Sequence, residues 1–172
     1  NAFLDNENVI AALNYDAVGG RAGIPQHVRL FAVEYAISRH GALGRYYEYI
    51  AGLYLPTFPV LIQDALDREG RWGDHREFVA VGFPAIRVIE SVEDPELLNS
   101  NRDTWDLIDY NYLQRVAQIN LAVIANLAGG PQQPQPPLVA GMAEPGAFLL
   151  TWPVDPVAAG YAISFRPVDS IY

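Results

Sequence analysis

Apolar residues in this chain gather in short runs separated by Gly, Pro and polar residues, and the period within each run predicts an element. Residues 8–19, NVIAALNYDAVG, form an apolar run that ends in glycine and predict a buried strand. His27–Val33 alternates and predicts a second strand, with Arg29 facing outward. Leu43–Leu55 is rich in aromatics and predicts a helix, which Pro56 and Pro59 break. Val60–Leu66 reads as a further strand, Gly70–Gly73 as a turn-rich loop, and His75–Val81 as a short helix stopped by Gly82. Pro84–Glu90, PAIRVIE, alternates as a strand, and Ser91–Arg102 is a polar loop.

The clearest periodic segment follows. Trp105, Ile108, Tyr112, Val116, Ile119, Val123 and Leu127 step by three and four, the spacing of one helix face. Asn101 or Asp103 can cap its start, and Gly129–Gly130 followed by Pro131 ends it. Strands alternating with helices predict an α/β layered core. Residues 129–137, GGPQQPQPP, form a Pro/Gln linker and a domain boundary. Beyond it Leu138–Met142, Ala147–Trp152 and Gly160–Arg166 read as three short strands without helical period, the start of a β-sandwich. The expected organisation is therefore an α/β domain over 1–128, a linker over 129–137 and a β segment over 138–172.

Composition narrows the function. About half the residues are apolar, so a sizeable core is available. No apolar run reaches the roughly 18 residues that a membrane span needs. The formal net charge is −9, and all 11 cationic residues are arginine. An acidic chain of this kind is a poor partner for nucleic acid or anionic membrane, because phosphate recognition needs clustered cations. Cysteine is absent, which removes disulfides and thiolate metal sites. The chain opens on Asn1 with neither Met nor a signal-like segment, as expected of an excerpt from a longer polypeptide.

Several polar residues have chemistry to offer. Asp16 closes the first apolar strand, at the sheet edge where α/β folds place their sites, and a carboxylate is a legitimate zinc ligand. The same residue type also ends strands simply by capping turns. Asp74 can cap the short helix or accept a hydrogen bond behind a metal ligand, and His75 can ligate or be a satisfied partner. Asn99–Thr104 is either a solvated loop with a helix cap or part of a site. His27 and His40 have no partner at ligand spacing, and no HExxH, GxSxG or phosphate-binding glycine loop occurs.

Three segments, in one order, resemble the M28 family of zinc aminopeptidases. NVIAALNYDAVGG is similar to that family's Asn-x-Asp strand end. GRWGDHREFVAVGFPAIRVIE is similar to its Ser-Asp-His block with the following Gly-(Ile/Phe)-Pro-Ala. NSNRDTWDLIDYNYLQRVAQINLAVIANLA is similar to its His-(Thr/Ser)-x-x-Asp-Thr segment and final helix. The resemblance spans roughly residues 8–128 and implies the C-terminal half of a mixed-sheet α/β sandwich of zinc-peptidase type. It implies zinc as the family's cofactor, with Asp16 as one ligand and Asp74, His75 and Asp103 as supporting groups. The general-base glutamate and the remaining ligands have no counterpart in this chain, so no catalytic residue is assigned. Asn99 stands where the family places a late His ligand, and a neutral amide oxygen binds zinc poorly beside imidazole.

The tail, PPLVAGMAEPGAFLLTWPVDPVAAGYAISFRP, resembles the first three strands of a fibronectin type III module, with Trp152 as its core tryptophan. Such a sandwich needs about seven strands. Three strands leave an open edge, through which copies of the chain can associate. The expected function is thus a metallopeptidase-like domain, extracellular or at the cell surface, without independent catalysis. The alternative is a non-enzymatic assembly protein on a degenerate peptidase scaffold, forming oligomers or filaments. The peptidase reading expects Asp16, Asp74 and Asn99 to converge on one cleft, and its partner is a peptide substrate.

Overall fold

The computed structural model describes residues 9–130, 137–161, 163 and 167. These form two compact units, one running to Ile124 and the other from Ala125.

The first unit is built on a mixed four-stranded sheet. Its strands are β1 (Ala12–Tyr15), β2 (Val28–Phe31), β3 (Val60–Gln63) and β4 (Ala85–Glu90), in the order β1-β4-β2-β3. β4 runs parallel to β1, with Tyr15 opposite Val88, and antiparallel to β2, with Leu30 opposite Val88. β2 and β3 are parallel neighbours, and helix α1 (Arg39–Tyr54) makes the crossover that parallel pairing requires. The mixed α/β architecture read from the sequence is present.

Helix α1 departs from its expected bounds for a local reason. α1 begins before Leu43 because Ser38 Oγ accepts the Gly41 N–H at 2.9 Å and caps the helix there. Gly41 and Gly44 let this helix approach the Tyr35 backbone and the Leu30 and Ala32 side chains more closely than any Cβ would allow. PAIRVIE alternates in polarity, yet all six residues of β4 are buried. β4 lies between β1 and β2, both its faces are covered, and its two charged residues are buried with partners. α2 (His75–Ala80) packs on β4 and β1, and Gly82, with φ +83°, turns the chain back towards β4.

The long helix α3 spans Tyr110–Gly129 and starts later than its periodic face suggests. Trp105–Leu107 forms a separate 3-10 turn, Ile108 is extended, and Trp105 is exposed. Asp109 provides the cap in place of Asn101 or Asp103. Its Oδ1 accepts the N–H groups of Asn111 at 3.0 Å and Tyr112 at 3.1 Å, satisfying two donors of the first turn. Tyr112, Val116, Ile119 and Val123 are buried in the first unit, as the helical spacing requires.

In the second unit β5 (Leu138–Gly141) and β6 (Phe148–Thr151) pair antiparallel, with Leu138 opposite Thr151. Trp152 meets the Tyr161 ring edge-on at 5.6 Å. Of the third expected strand, Gly160, Tyr161 and Ile163 are described and lie in no strand; the rest of Gly160–Arg166 falls outside the described residues, as do linker residues 131–136. Among the described residues no helix is long and apolar enough to cross a membrane.

Candidate functional site

Because β1 and β4 are parallel, their C-terminal ends share one sheet edge. Asp16 follows β1 there, and the loop holding Asn99 and Asp103 follows β4. Asp16 presents a largely exposed carboxylate whose Oδ2 lies 3.6 Å from the Arg87 guanidinium. The same guanidinium donates to the Asp16 carbonyl from Nε at 3.0 Å and from Nη2 at 2.5 Å. Arg87 therefore fixes the backbone of the strand end and leaves the carboxylate facing solvent.

Behind this edge sits a buried polar cluster. Arg87 Nη1 donates to Asp67 Oδ2 at 2.5 Å, and the Asp67 side chain is fully buried. The Gly73 and Arg68 N–H groups each donate to Asp67 at 2.8 Å. Burial pushes the Asp67 carboxyl up, but the hydrogen bonds from Arg68, Arg87 and Gly73 outweigh it and hold the group below the usual carboxylate range. Gly73 lies against Asn14 Oδ1 and the Arg87 side chain, so a Cβ at this position has no room. Asn14 Oδ1 and His75 Nδ1 are buried without hydrogen-bond partners among the described residues. His75 Nε2 lies 2.6 Å from the Leu66 carbonyl, which can only accept, so this nitrogen carries the proton.

The loop after β4 is tied to the segment following Asp16. Arg21 pairs with Asp94 at 3.2 Å, and the Asp109 N–H donates to the Gly20 carbonyl at 3.4 Å. Glu90 Oε2 accepts the Gly20 N–H at 2.7 Å. Burial raises the Glu90 carboxyl above its ordinary range, the Gly20 N–H, Arg21 and Arg29 oppose that rise, and the nearby charge of Asp103 adds to it.

The sequence-derived residues thus fall as follows. Asp16 and the Gly73–Asp74 loop meet through Asn14 and Arg87. Asn99 is exposed, with a left-handed φ of 58° that asparagine tolerates. Among the described residues no hydrogen bond or ion pair joins Asn99 to Asp16 or Asp74. Asp74 does not cap α2: its φ of −66° and ψ of −21° are already helical, and its side chain makes no capping bond. Sequence reasoning missed Arg87 and Asp67, the centre of the cluster. Arginine within the apolar string PAIRVIE is a usable signal, since a buried guanidinium requires a partner. Asp67, in an unremarkable polar stretch, carries no such signal.

Among the described residues no group of three or more His, Cys, Asp or Glu side chains can hold a metal ion. Asp16 has a guanidinium rather than a second carboxylate or imidazole beside it, and Asp67 is consumed by its three donors. These residues by themselves do not fit a zinc ion.

The arrangement defines a mixed α/β protein with its polar chemistry at the C-terminal edge of parallel strands. No family model matches the chain, and no solved structure matches it. Fungal proteins do. A probable zinc metalloprotease of Pyricularia oryzae is 30% identical over 161 residues, covering 73% of this chain and 32% of that protein. One of Leptosphaeria maculans is 32% identical over 102 residues, 54% of this chain and 24% of that protein. One of Phaeosphaeria nodorum is 24% identical over 159 residues, 74% of this chain and 32% of that protein. The chain spans about a third or less of the length of these curated relatives.

Proposed function

We propose that this chain is part of an M28-type metallopeptidase domain, supplies one carboxylate to its metal centre and does not hydrolyse peptides by itself. The observation that carries the reading is Asp16. It closes β1 at the shared sheet edge, its backbone is clamped by Arg87 and its carboxylate is free of hydrogen-bond donors among the described residues. The three ordered motifs and the names of the fungal relatives support it. In this reading the remaining ligands and the general base come from sequence outside this chain, and Asp74, His75 and Asp103 are supporting groups. The second unit is the start of a fibronectin-like module, the substrate is a peptide, and the protein works outside the cell or on its surface.

Metal analysis tests both parts of the reading. After dialysis against zinc, the chain is expected to retain no stoichiometric metal and to release no leucine from leucine p-nitroanilide. One tightly held zinc per chain would show that the centre is complete here and overturn that part. In a longer polypeptide carrying the preceding sequence, Asp16→Asn is expected to remove zinc and activity. The loss should exceed the roughly 10–100-fold that follows removal of a ligand's outer hydrogen-bond partner. Unchanged zinc content and activity would refute Asp16 as a metal ligand, and a longer polypeptide with neither zinc nor activity would refute the peptidase assignment.

One observation favours a second reading, assembly on a catalytically silent scaffold. Among the described residues β5 and β6 form a two-stranded sheet, and Leu138, Val139, Phe148 and Leu149 are exposed on it. A second copy of the chain could add strands there. Light scattering that gives a monomer mass at every concentration would remove this reading.

A further inference from the structure

Beside the Asp16 edge lies a pocket of about 400 Å³, open to solvent and lined by Arg29, Arg68, Arg71, Ser91 and Glu93 among others. In a chain whose net charge is −9 the lining holds one glutamate and three arginines, of which Arg68 also pairs with the buried Asp67 at 3.5 Å. Glu93 Oε2 serves two of them at once: Arg29 Nη2 donates to it at 2.9 Å, and Arg68 Nη1 donates to the same atom. The third, Arg71, makes no side-chain hydrogen bond or ion pair among the described residues. Its backbone is nevertheless held, because its carbonyl accepts from Arg87 Nη1 at 3.3 Å.

The cations also crowd one another. Burial lowers the Arg68 guanidinium below its ordinary range, Arg87 and Arg29 push it further down, and Asp67 only partly restores it. Arg29 is lowered by its own burial and by Arg87, against the pull of Glu90. Arg29 and Arg68 are paired with Glu93, and Arg68 with Asp67 as well, so the cation left to favour an added anion is Arg71.

We infer that this pocket binds a carboxylate, gripped by Arg71 at the rim and by the Arg29–Arg68 pair that now shares Glu93. A planar guanidinium fork matches a carboxylate, and Glu93 Oε2 shows that Arg29 and Arg68 can both donate to one carboxylate oxygen. A pocket of this size holds a small acid such as an acidic amino-acid side chain. Within the peptidase reading, the ligand is an acidic residue of the peptide. That last step rests on the proposed function; anion binding itself does not.

Titration with glutarate at low ionic strength tests the inference, followed by isothermal calorimetry and by the arginine Nε–H resonances in nitrogen-edited NMR. It needs neither zinc nor turnover, so its outcome is independent of the metal experiments. Saturable binding is expected, with shifts at Arg29, Arg68 and Arg71. Arg71→Ala should weaken it by about 5- to 10-fold, whereas Glu93→Gln should tighten it by a similar factor, because two guanidinium groups lose their internal competitor. Should Glu93→Gln fail to fold, Arg71→Glu takes its place and should abolish binding. Inorganic phosphate is titrated in parallel, and a phosphate affinity above that of glutarate would overturn the carboxylate assignment. No saturation by either anion, or identical curves for wild type and the Arg71 variants, would overturn the site.

Discussion

β4 and the β5–β6 pair draw on similar apolar residue types and meet opposite environments. Every residue of AIRVIE in β4 is buried, including an arginine and a glutamate, whereas LVAG in β5 is exposed throughout and FLLT in β6 nearly so. The difference lies in the neighbours. β4 has a strand on each side and helices packed on it, so even its charged residues are enclosed and must be paired. Among the described residues β5 and β6 have only each other, and two strands cannot enclose an apolar side chain. Burial therefore follows strand count and covering layers more than the residues of the strand itself.

The largest expected effect comes from opening the buried pair in the first unit. Arg87→Met removes the nearer of the two cations on the buried Asp67 carboxylate, leaving Arg68 Nε at 3.5 Å, and should cost about 3 kcal/mol in urea unfolding followed by far-ultraviolet circular dichroism. A loss near zero would mean that Asp67 is hydrated, and that the first unit is less enclosed than β4 implies.

A pH titration sharpens the contrast further. His40 Nδ1 accepts the Ala85 N–H at 3.2 Å at the entry to β4. Burial, and then the adjacent Arg39 charge, lower its pKa in the fold, with Glu34 opposing. A histidine with a depressed folded pKa binds its proton more readily when unfolded. Its contribution is therefore present above the ordinary value of about 6.5 and is lost as pH falls from there towards the folded value. His27 is lowered too and adds to the loss, while the raised Glu90 works the other way at lower pH. Stability should fall between pH 7 and pH 5, and His40→Gln should flatten the slope. An unchanged slope in that variant would assign the pH dependence elsewhere.

The smallest effect is expected at β6. Leu149→Ser replaces an exposed residue and should alter stability by less than about 0.5 kcal/mol. A loss of 2 kcal/mol or more, about that of a buried leucine, would show that the hairpin is covered in solution and break the comparison.

What the sequence could reveal follows the range of each interaction. The buried face of α3 was legible because Tyr112, Val116, Ile119 and Val123 repeat with the helical period. The start of that helix was not, since Asn101, Asp103 and Asp109 are equally plausible caps until the backbone chooses. The two-sided burial of β4 was hidden by its alternation, which depends on strands brought in from residues 12–15 and 28–31. At the site, the edge position of Asp16 followed from its place after an apolar run. The Arg87–Asp67 pair did not, because loop residues 67–73 reach it only through the tertiary fold.

The Tyr112 hydroxyl has one further consequence. It donates to the His27 carbonyl at 2.5 Å and accepts the Ser91 N–H at 3.0 Å, while its ring stacks edge-on against Phe58 at 5.2 Å. Burial lifts this phenol to about 12, so it stays protonated and able to donate across the physiological range. One side chain of α3 thus completes the wiring at the start of β2 and just past the end of β4. The helix cannot lift away without stranding both backbone groups, and so the Ser91 amide should exchange its hydrogen only when the whole first unit opens.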